Sequence, residues 1–387
     1  MNALNLVIDF NNMVMRALHT CQTTDDVKIK NFDKQEECDA FMRKTVTDIC
    51  FVLRAFNPDR VIFACDAKFP WRTDLYKNLD INYKGNREKD LEKNWTNIFK
   101  VMDDLKGILA NKGFVVTDLE NTEADDLAAL WKDVILNKQQ DNMIYVSSDK
   151  DWSQLVCLDD NKHYCIGYNP VINNRGTRKM FVDEKTHKWL NSTDDVDFFM
   201  NGFNKAKSKL CDIVRTNNKI SVEVIDPQRV LLDKVMCGDD GDNVPAFYEY
   251  YKGGRKTRVT PTKAAALFET LNIHSIDDLV SVDADFTLKE ALESVMKTTI
   301  DIDFGSRLLR QRRMVELKSD LFPKRIVDNF YKHAESVVNV GFGNFAEIKM
   351  DTILKGTSYE YKGSKNRYNS IFADIDLTKY NKTPALF

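Results

Sequence analysis

Three short apolar runs in the first 150 residues each end on an aspartate: "LNLVID" on Asp9, "RVIFACD" on Asp66 and "MIYVSSD" on Asp149. Each has the length of a buried strand. "FVVT" (114–117) is a fourth candidate. Between the first two runs, "DAFMRKTVTDICFVLRAF" (39–56) repeats apolar residues such as Phe41, Met42, Val46, Ile49, Leu53 and Phe56 at the helical period. Strands alternating with helices predict an α/β fold: a mostly parallel sheet with flanking helices. In such sheets ligands gather beyond the carboxyl ends of the strands. Asp9, Asp66 and Asp149 are therefore expected on one rim.

"NTEADDLAAL" (121–130) follows "FVVT" directly. Thr122 as N-cap with Asp125 at N3 would make a capping box, and acids suit a helix's first turn. A cap, however, needs one or two acids, and here Glu123, Asp125 and Asp126 stand together. Asp151 follows Asp149 in "SSDKDWSQL", and "CGDDGDNVP" carries Asp239 and Asp242, three apart and so on one face of a helical turn. Singly, an acid at a strand end or helix start is commonly a cap. Clusters converging on one edge point instead to a cation, because so many carboxylates could not all stay charged unaided. Oxygen ligands without His or Cys select a hard ion, so the expected cofactor is Mg²⁺ (two ions), with Mn²⁺ as a substitute.

A basic counterpart lies in residues 68–87, where Lys68, Arg72, Lys77, Lys84 and Arg87 face two acids, Asp74 and Asp80. Phe69, Trp71, Tyr76 and Tyr83 are interleaved. Cations meet phosphates and rings stack on unpaired bases; the competing reading is a solvated loop with a few buried rings. "YYKGGRKTRVTPTKAAALF" (250–268) adds Lys252, Arg255, Lys256, Arg258 and Lys263 with no acid. Thr260 as cap and Pro261 at N1 would open a helix whose N-terminus seats a backbone phosphate. The alternative there is again an ordinary solvated loop. A net charge of −3 excludes a protein coated in basic residues, yet permits separate acidic and basic zones. No apolar run approaches the roughly 20 residues of a membrane span. The start lacks a secretory leader pattern, and the eight cysteines form no CxxC pair. A reduced, cytoplasmic protein with no membrane partner is expected.

These motifs, "VIDF", "FACDAKFPWR", "YKGNR", "EADD", "SSDKDWSQL" and "GDDGDNVP", resemble in order those of the structure-specific 5′-nucleases. That family includes flap endonucleases, the 5′-nuclease domains of bacterial DNA polymerases and phage ribonuclease H enzymes of the 5′-nuclease type. The resemblance spans residues 1 to about 270. It implies a PIN-like sheet, a helical arch over the active site and a helix–three-turn–helix element that binds duplex. By position it implies one metal held by Asp66, Glu123, Asp125 and Asp126 with Asp9 nearby, and a second by Asp149, Asp151, Asp239 and Asp242. Lys84 and Arg87 would meet the scissile phosphate. Lys68, Arg72, Tyr83, Lys252, Arg255, Lys256, Arg258 and Lys263 would bind nucleic acid. The hairpin after Asp242 is longer and more basic than the compact hairpin common in the family, closer to the phage ribonuclease H type.

The expected organisation is a nuclease unit over residues 1–225, with an arch at 68–112 and an insert at 160–225, a helical duplex-binding unit over 226–319, and a C-terminal extension over 320–387. Residues 88–112 are expected to form one long helix with Leu91, Trp95, Ile98, Phe99, Met102, Leu105 and Leu109 along a stripe. The expected chemistry is two-metal hydrolysis of phosphodiesters, with 5′→3′ exonuclease and 5′-flap endonuclease action on flapped, nicked or forked DNA and on RNA–DNA hybrids. The chain is expected to act as a monomer in a bacterial cytoplasm, or in a host's if phage-encoded. The terminal "NKTPALF" is either a frayed end or a docking peptide for a sliding clamp or single-strand-binding protein. Two other functions would use similar residues: a non-catalytic module for branched DNA, which should have lost metal acids, and a single-strand-specific PIN-type ribonuclease, which would not need the basic 250–268 segment.

Overall fold

The computed structural model of the protein describes residues 3–21, 23–24, 27–56, 58–78, 81–85, 91–159, 161, 163–170, 210–216, 219–340 and 353–360. Arg87, the segment 171–209 and "NKTPALF" lie outside the described residues.

In chain order the α/β part runs β1 (Leu4–Asp9), α1 (Phe10–Thr20), the short pair β2 (Thr23–Thr24) and β3 (Val27–Lys28), α2 (Gln35–Phe56), β4 (Arg60–Ala64) and α3 (Trp71–Lys77). It continues with α4 (Trp95–Asn111), β5 (Val115–Thr117), α5 (Ala124–Lys132), β6 (Asn142–Val146), β7 (Cys157–Leu158), β8 (Tyr164–Tyr168), β9 (Leu210–Thr216) and β10 (Lys219–Ile225). The strand order is β5-β4-β1-β6-β8-β9-β10, with β7 beside β8. From β5 to β9 every neighbouring pair is parallel, and β10 and β7 run antiparallel to theirs.

Side chains alternate across this sheet, as the pleat requires. Leu4, Leu6, Ile8, Phe63 and Ile144 pack under α1, α2 and α4. Val7, Ile62, Ala64, Met143 and Tyr145 pack against α5. Both faces are covered, so the central strands read as unbroken apolar runs. Burying each Leu, Ile or Phe contributes about 1.5–3 kcal/mol.

One expected helix is shorter than predicted. α4 starts at Trp95, because the Asn94 side chain caps it by accepting from the Asn97 N–H at 3.2 Å. Leu91 precedes the helix and is 92% exposed, and Phe99 is 50% exposed, so neither belongs to the buried stripe.

After β10 come α6 (Pro227–Cys237), the hairpin β11 (Glu249–Lys252) and β12 (Arg255–Arg258), α7 (Pro261–Leu271), α8 (Ile276–Ser281), α9 (Lys289–Met296) and α10 (Phe304–Val315). They enclose their own core around Val235, Phe247, Leu267 and Phe304, and Tyr76 of α3 joins it. Finally α11 (Lys324–Val340) lays Ile326, Phe330 and Ala334 onto the α5 side of the sheet. No helix among the described residues is long and apolar enough to cross a membrane.

Candidate active site

The parallel strands deliver their acids to one edge. Asp9 ends β1 and caps α1, accepting from the Asn12 N–H at 2.9 Å and the Ser147 hydroxyl at 2.7 Å. Burial pushes its pKa up to about 8, with Asp66 and Asp149 adding repulsion against those two hydrogen bonds. Asp66, two residues past β4, accepts from the Ala124 N–H at the start of α5 at 2.7 Å. Asp149 lies three residues past β6, in a turn where its own N–H donates to Ser147 and its carboxylate accepts from the Asp151 N–H. Asn12 takes both the N–H and the hydroxyl of Ser148, tying that turn to α1. Asn12 and Ser147 escaped the sequence reading, although "SSD" and "DFNN" contain them.

At the start of α5 the cap is Glu123, one residue later than expected, and Asp126 is the N3 partner, accepting from the Glu123 N–H at 3.1 Å. Thr122 instead donates its hydroxyl to the Leu119 carbonyl. The Glu123 carboxylate gathers cations and donors: Lys84 Nζ at 2.6 Å, Arg72 Nη1 at 3.0 Å and the Tyr83 hydroxyl at 2.6 Å. Burial works against its charge, but Arg72 and then Lys84 outweigh it and hold its pKa at about 2.

Three expectations are corrected here. Arg72 is 3% exposed and donates to Glu123 and to Asp126 (2.6 Å), so it braces carboxylates and does not reach toward a phosphate. Asp126 is 0% exposed and both its oxygens are taken, by Trp71 Nε1, Arg72 and the Glu123 N–H. It faces inward and does not share the rim with Asp125. Tyr83 spends its hydroxyl on Glu123, not on nucleic acid.

Asp125 accepts from the Trp152 indole N–H. Its pKa lies well above the usual carboxylate range, first through burial and then through repulsion from Asp149 and Asp151. Across from it, Lys234 of α6 bridges Asp151 and Asp239. Burial, opposed by Lys234, still pushes the Asp151 pKa up to about 6. Lys234 also escaped the sequence reading: a lysine inside a helix looks solvated, and only its place one turn before "GDDGD" marks it. That turn is sharp. Gly238 has φ +74°, and a Cβ there would lie 2.3 Å from the Val244 carbonyl oxygen, so only glycine fits. The Asp242 carbonyl accepts from the Lys84 N–H at 3.3 Å and Asn243 donates to the Asn82 carbonyl at 2.9 Å, clasping "YKG" to "GDDGDN".

The hairpin is less positive than its own sequence. Arg258 forms a two-pronged pair with Asp240 at 2.6 and 2.8 Å, and Lys256 pairs with Glu249 at 2.9 Å. Lys263 donates to the Arg258 carbonyl. Lys252 and Arg255 stay exposed at the tip, as does Lys68 near Asp66. Thr260 and Pro261 open α7 as expected, although the Thr260 side chain makes no capping bond.

The site thus holds acids carried by β1, β4, α5, β6 and the turn after α6, with Arg72, Lys84 and Lys234 neutralising some of them. Among the described residues no three acids, cysteines or histidines stand in an arrangement that would by itself grip an ion. The donor chemistry nevertheless fits a hard cation: the rim acids are carboxylates, Asp66 and Asp149 repel Asp9, and Asp149 repels both Asp125 and Asp151. Such an arrangement can bind divalent cations and a phosphate together.

Fold and site define an α/β protein with a carboxylate-lined sheet edge beside a helical unit. Residues 4–187 match the family model described as the 5′–3′ exonuclease N-terminal, resolvase-like domain. Its members are nucleases that cut phosphodiester bonds. The fold resembles the 5′-exonuclease of bacteriophage T5 with bound zinc (TM-score 0.51, 16% identity, 86% of this chain and 99% of that one). It equally resembles the T5 D15 flap endonuclease in a pseudo-enzyme–product complex with DNA and metal ions (TM-score 0.51, 15% identity, 86% and 98%). No curated protein matches by sequence.

Proposed function

We propose that the chain is a Mg²⁺-dependent 5′-nuclease that cuts 5′ flaps and degrades DNA, and the RNA of RNA–DNA hybrids, from 5′ ends during replication or repair. The observation that supports this most is the meeting of Asp9, Asp66, Glu123, Asp125, Asp149, Asp151 and Asp239 at one sheet edge with Lys84 in their midst. Asp66, Glu123 and Asp125, with Asp9, would hold one ion; Asp149, Asp151, Asp239 and Asp242 would hold the other. Bound divalent ions supply an acidified water and charge stabilisation for in-line displacement at phosphorus.

The chain's own residues prepare the rest. Asp126, Arg72 and Trp71 fix the first turn of α5, so that Glu123 and Asp125 are placed before substrate arrives. Lys84, at φ +54°, presents its ammonium at the rim, where a substrate phosphate can compete with Glu123 for it. Lys252 and Arg255 offer phosphate contacts at the hairpin tip, which hold duplex without reading sequence.

A 5′-flap substrate with Mg²⁺ tests the proposal, with Asp149→Asn beside the wild type. Wild-type cleavage at the junction and loss of cleavage in the variant are expected. A wild type that binds the flap but leaves it uncut points to the non-catalytic reading, and equal cleavage by both refutes the metal assignment.

A further inference from the structure

Four rings are interleaved with the basic residues of 68–87, and the structure sorts them. Trp71 and Tyr76 are buried and Tyr83 is tied to Glu123, whereas Phe69 is 64% exposed. Lys68 is also exposed, with Nζ 5.3 Å from the Phe69 ring centroid. With Arg72 spent inside the protein, this pair sets an exposed ring beside an exposed cation.

Phe69 does not sit on a loose tip. On one side of it the Ala67 N–H donates to the Thr122 carbonyl at 2.8 Å, and on the other the Trp71 N–H donates to the Asn121 carbonyl at 2.9 Å. The Phe69 carbonyl itself accepts from Asn121 Nδ2 at 2.8 Å. Asn121 is held in the left-handed region at φ +61°, and its Oδ1 accepts from Arg325 of α11 at 2.6 Å. The loop is therefore strapped to the segment that leads into α5, and its exposed ring is presented at a fixed place. It lies three positions after Asp66, so the two Cα atoms lie within roughly 11 Å. That is within reach of nucleotides flanking a phosphate held at the rim. Its chain neighbours, Lys68 and Pro70, do not extend it into the contiguous apolar patch a protein partner would need. One ring beside one cation suits a base and its phosphate.

We infer that Phe69 is a stacking platform for an unpaired base next to the phosphate to be cut, with Lys68 on the adjoining phosphate. The inference deepens the nuclease reading and rests on it for the position of that phosphate. The test uses 5′-flap oligonucleotides carrying 2-aminopurine at successive unpaired positions beside the junction. Fluorescence on binding is read in EDTA, and KM and kcat are read with Mg²⁺. Wild type and Phe69→Trp should quench one position strongly. Phe69→Ala and Phe69→Leu should lose that quenching and raise KM about tenfold with kcat unchanged. All variants should melt with the wild type, because the ring is exposed. No wild-type quenching at any position, or Phe69→Leu matching the wild type, overturns the inference. Unaltered quenching and KM in Phe69→Ala overturn it while wild-type cleavage leaves the nuclease reading standing. Quenching that depends on Phe69 without any cleavage refutes the nuclease reading and overturns the platform's placement beside a cut phosphate.

Discussion

At Arg72 the guanidinium lies between two rings, 4.7 Å from the Trp71 centroid and 5.8 Å from that of Phe322, and donates to two buried carboxylates. Burial opposes its charge, but Asp126 and then Glu123 raise its pKa well beyond the usual guanidinium value. Removing one member of such a group leaves buried charge uncompensated, which costs about 3–5 kcal/mol. Arg72→Met should therefore lower the melting temperature sharply, and Arg72→Lys should recover only part, since an ammonium lacks the planar fork. A surface phosphate contact would behave otherwise: unchanged melting, and a shallower salt dependence of DNA binding. The acids were legible because a strand end fixes where an aspartate emerges. Arg72 and Lys234 were not, because a sequence shows that a cation stands near rings or acids but not which side of a turn faces the core.

The helices α5 and α11 meet through a chain of contacts that the sequence does not signal. Trp131 packs edge-on against Phe330 at 5.2 Å, and its indole N–H donates to Thr117 Oγ1 at 3.0 Å. Thr117 lies 3.2 Å from His333 Nε2. An indole can only donate, so the Thr117 hydroxyl proton is free to point at a neutral His333 ring. Burial lowers the His333 pKa below its ordinary 6.5. The unfolded chain therefore takes up the proton first as pH falls. The contribution of the neutral ring is complete above about pH 6.5 and is lost as pH falls through the lower folded value. Urea midpoints at pH 7.5 and 5.5 check this: the wild type should lose more stability on acidification than His333→Gln, by at most about 1.4 kcal/mol per pH unit. Equal losses in both proteins would remove His333 from the account. The apolar stripe Ile326, Phe330 and Ala334 is readable as a helix face, but a stripe does not say which side of a sheet it will cover.

On the scale of the molecule, the alternating pattern made the parallel sheet and its acidic edge legible, because a doubly covered sheet demands continuous apolar strands. The charge balance of the edge was not legible, because it depends on Lys84 from the turn at 83–85 and Lys234 from the helical unit meeting acids of the sheet. The two α/β faces and the helical core are thus joined at a place where like charges crowd. Asp125, buried among Asp149, Asp151 and Glu123, should destabilise the protein when no divalent cation is present. In EDTA, Asp125→Asn should therefore melt higher than the wild type, an unusual sign for a buried substitution. Mg²⁺ should reverse the order. A ligand that binds only the folded chain adds about 2.7 kcal/mol at a hundred times its dissociation constant, and the wild type should gain it while the variant gains little. Asp126→Asn should also shrink the gain, indirectly, by loosening the brace on Glu123, and it should melt below the wild type in EDTA as well. If Asp125→Asn instead melts lower in EDTA and keeps the full Mg²⁺ increment, Asp125 is a structural acid and the ion is held without it.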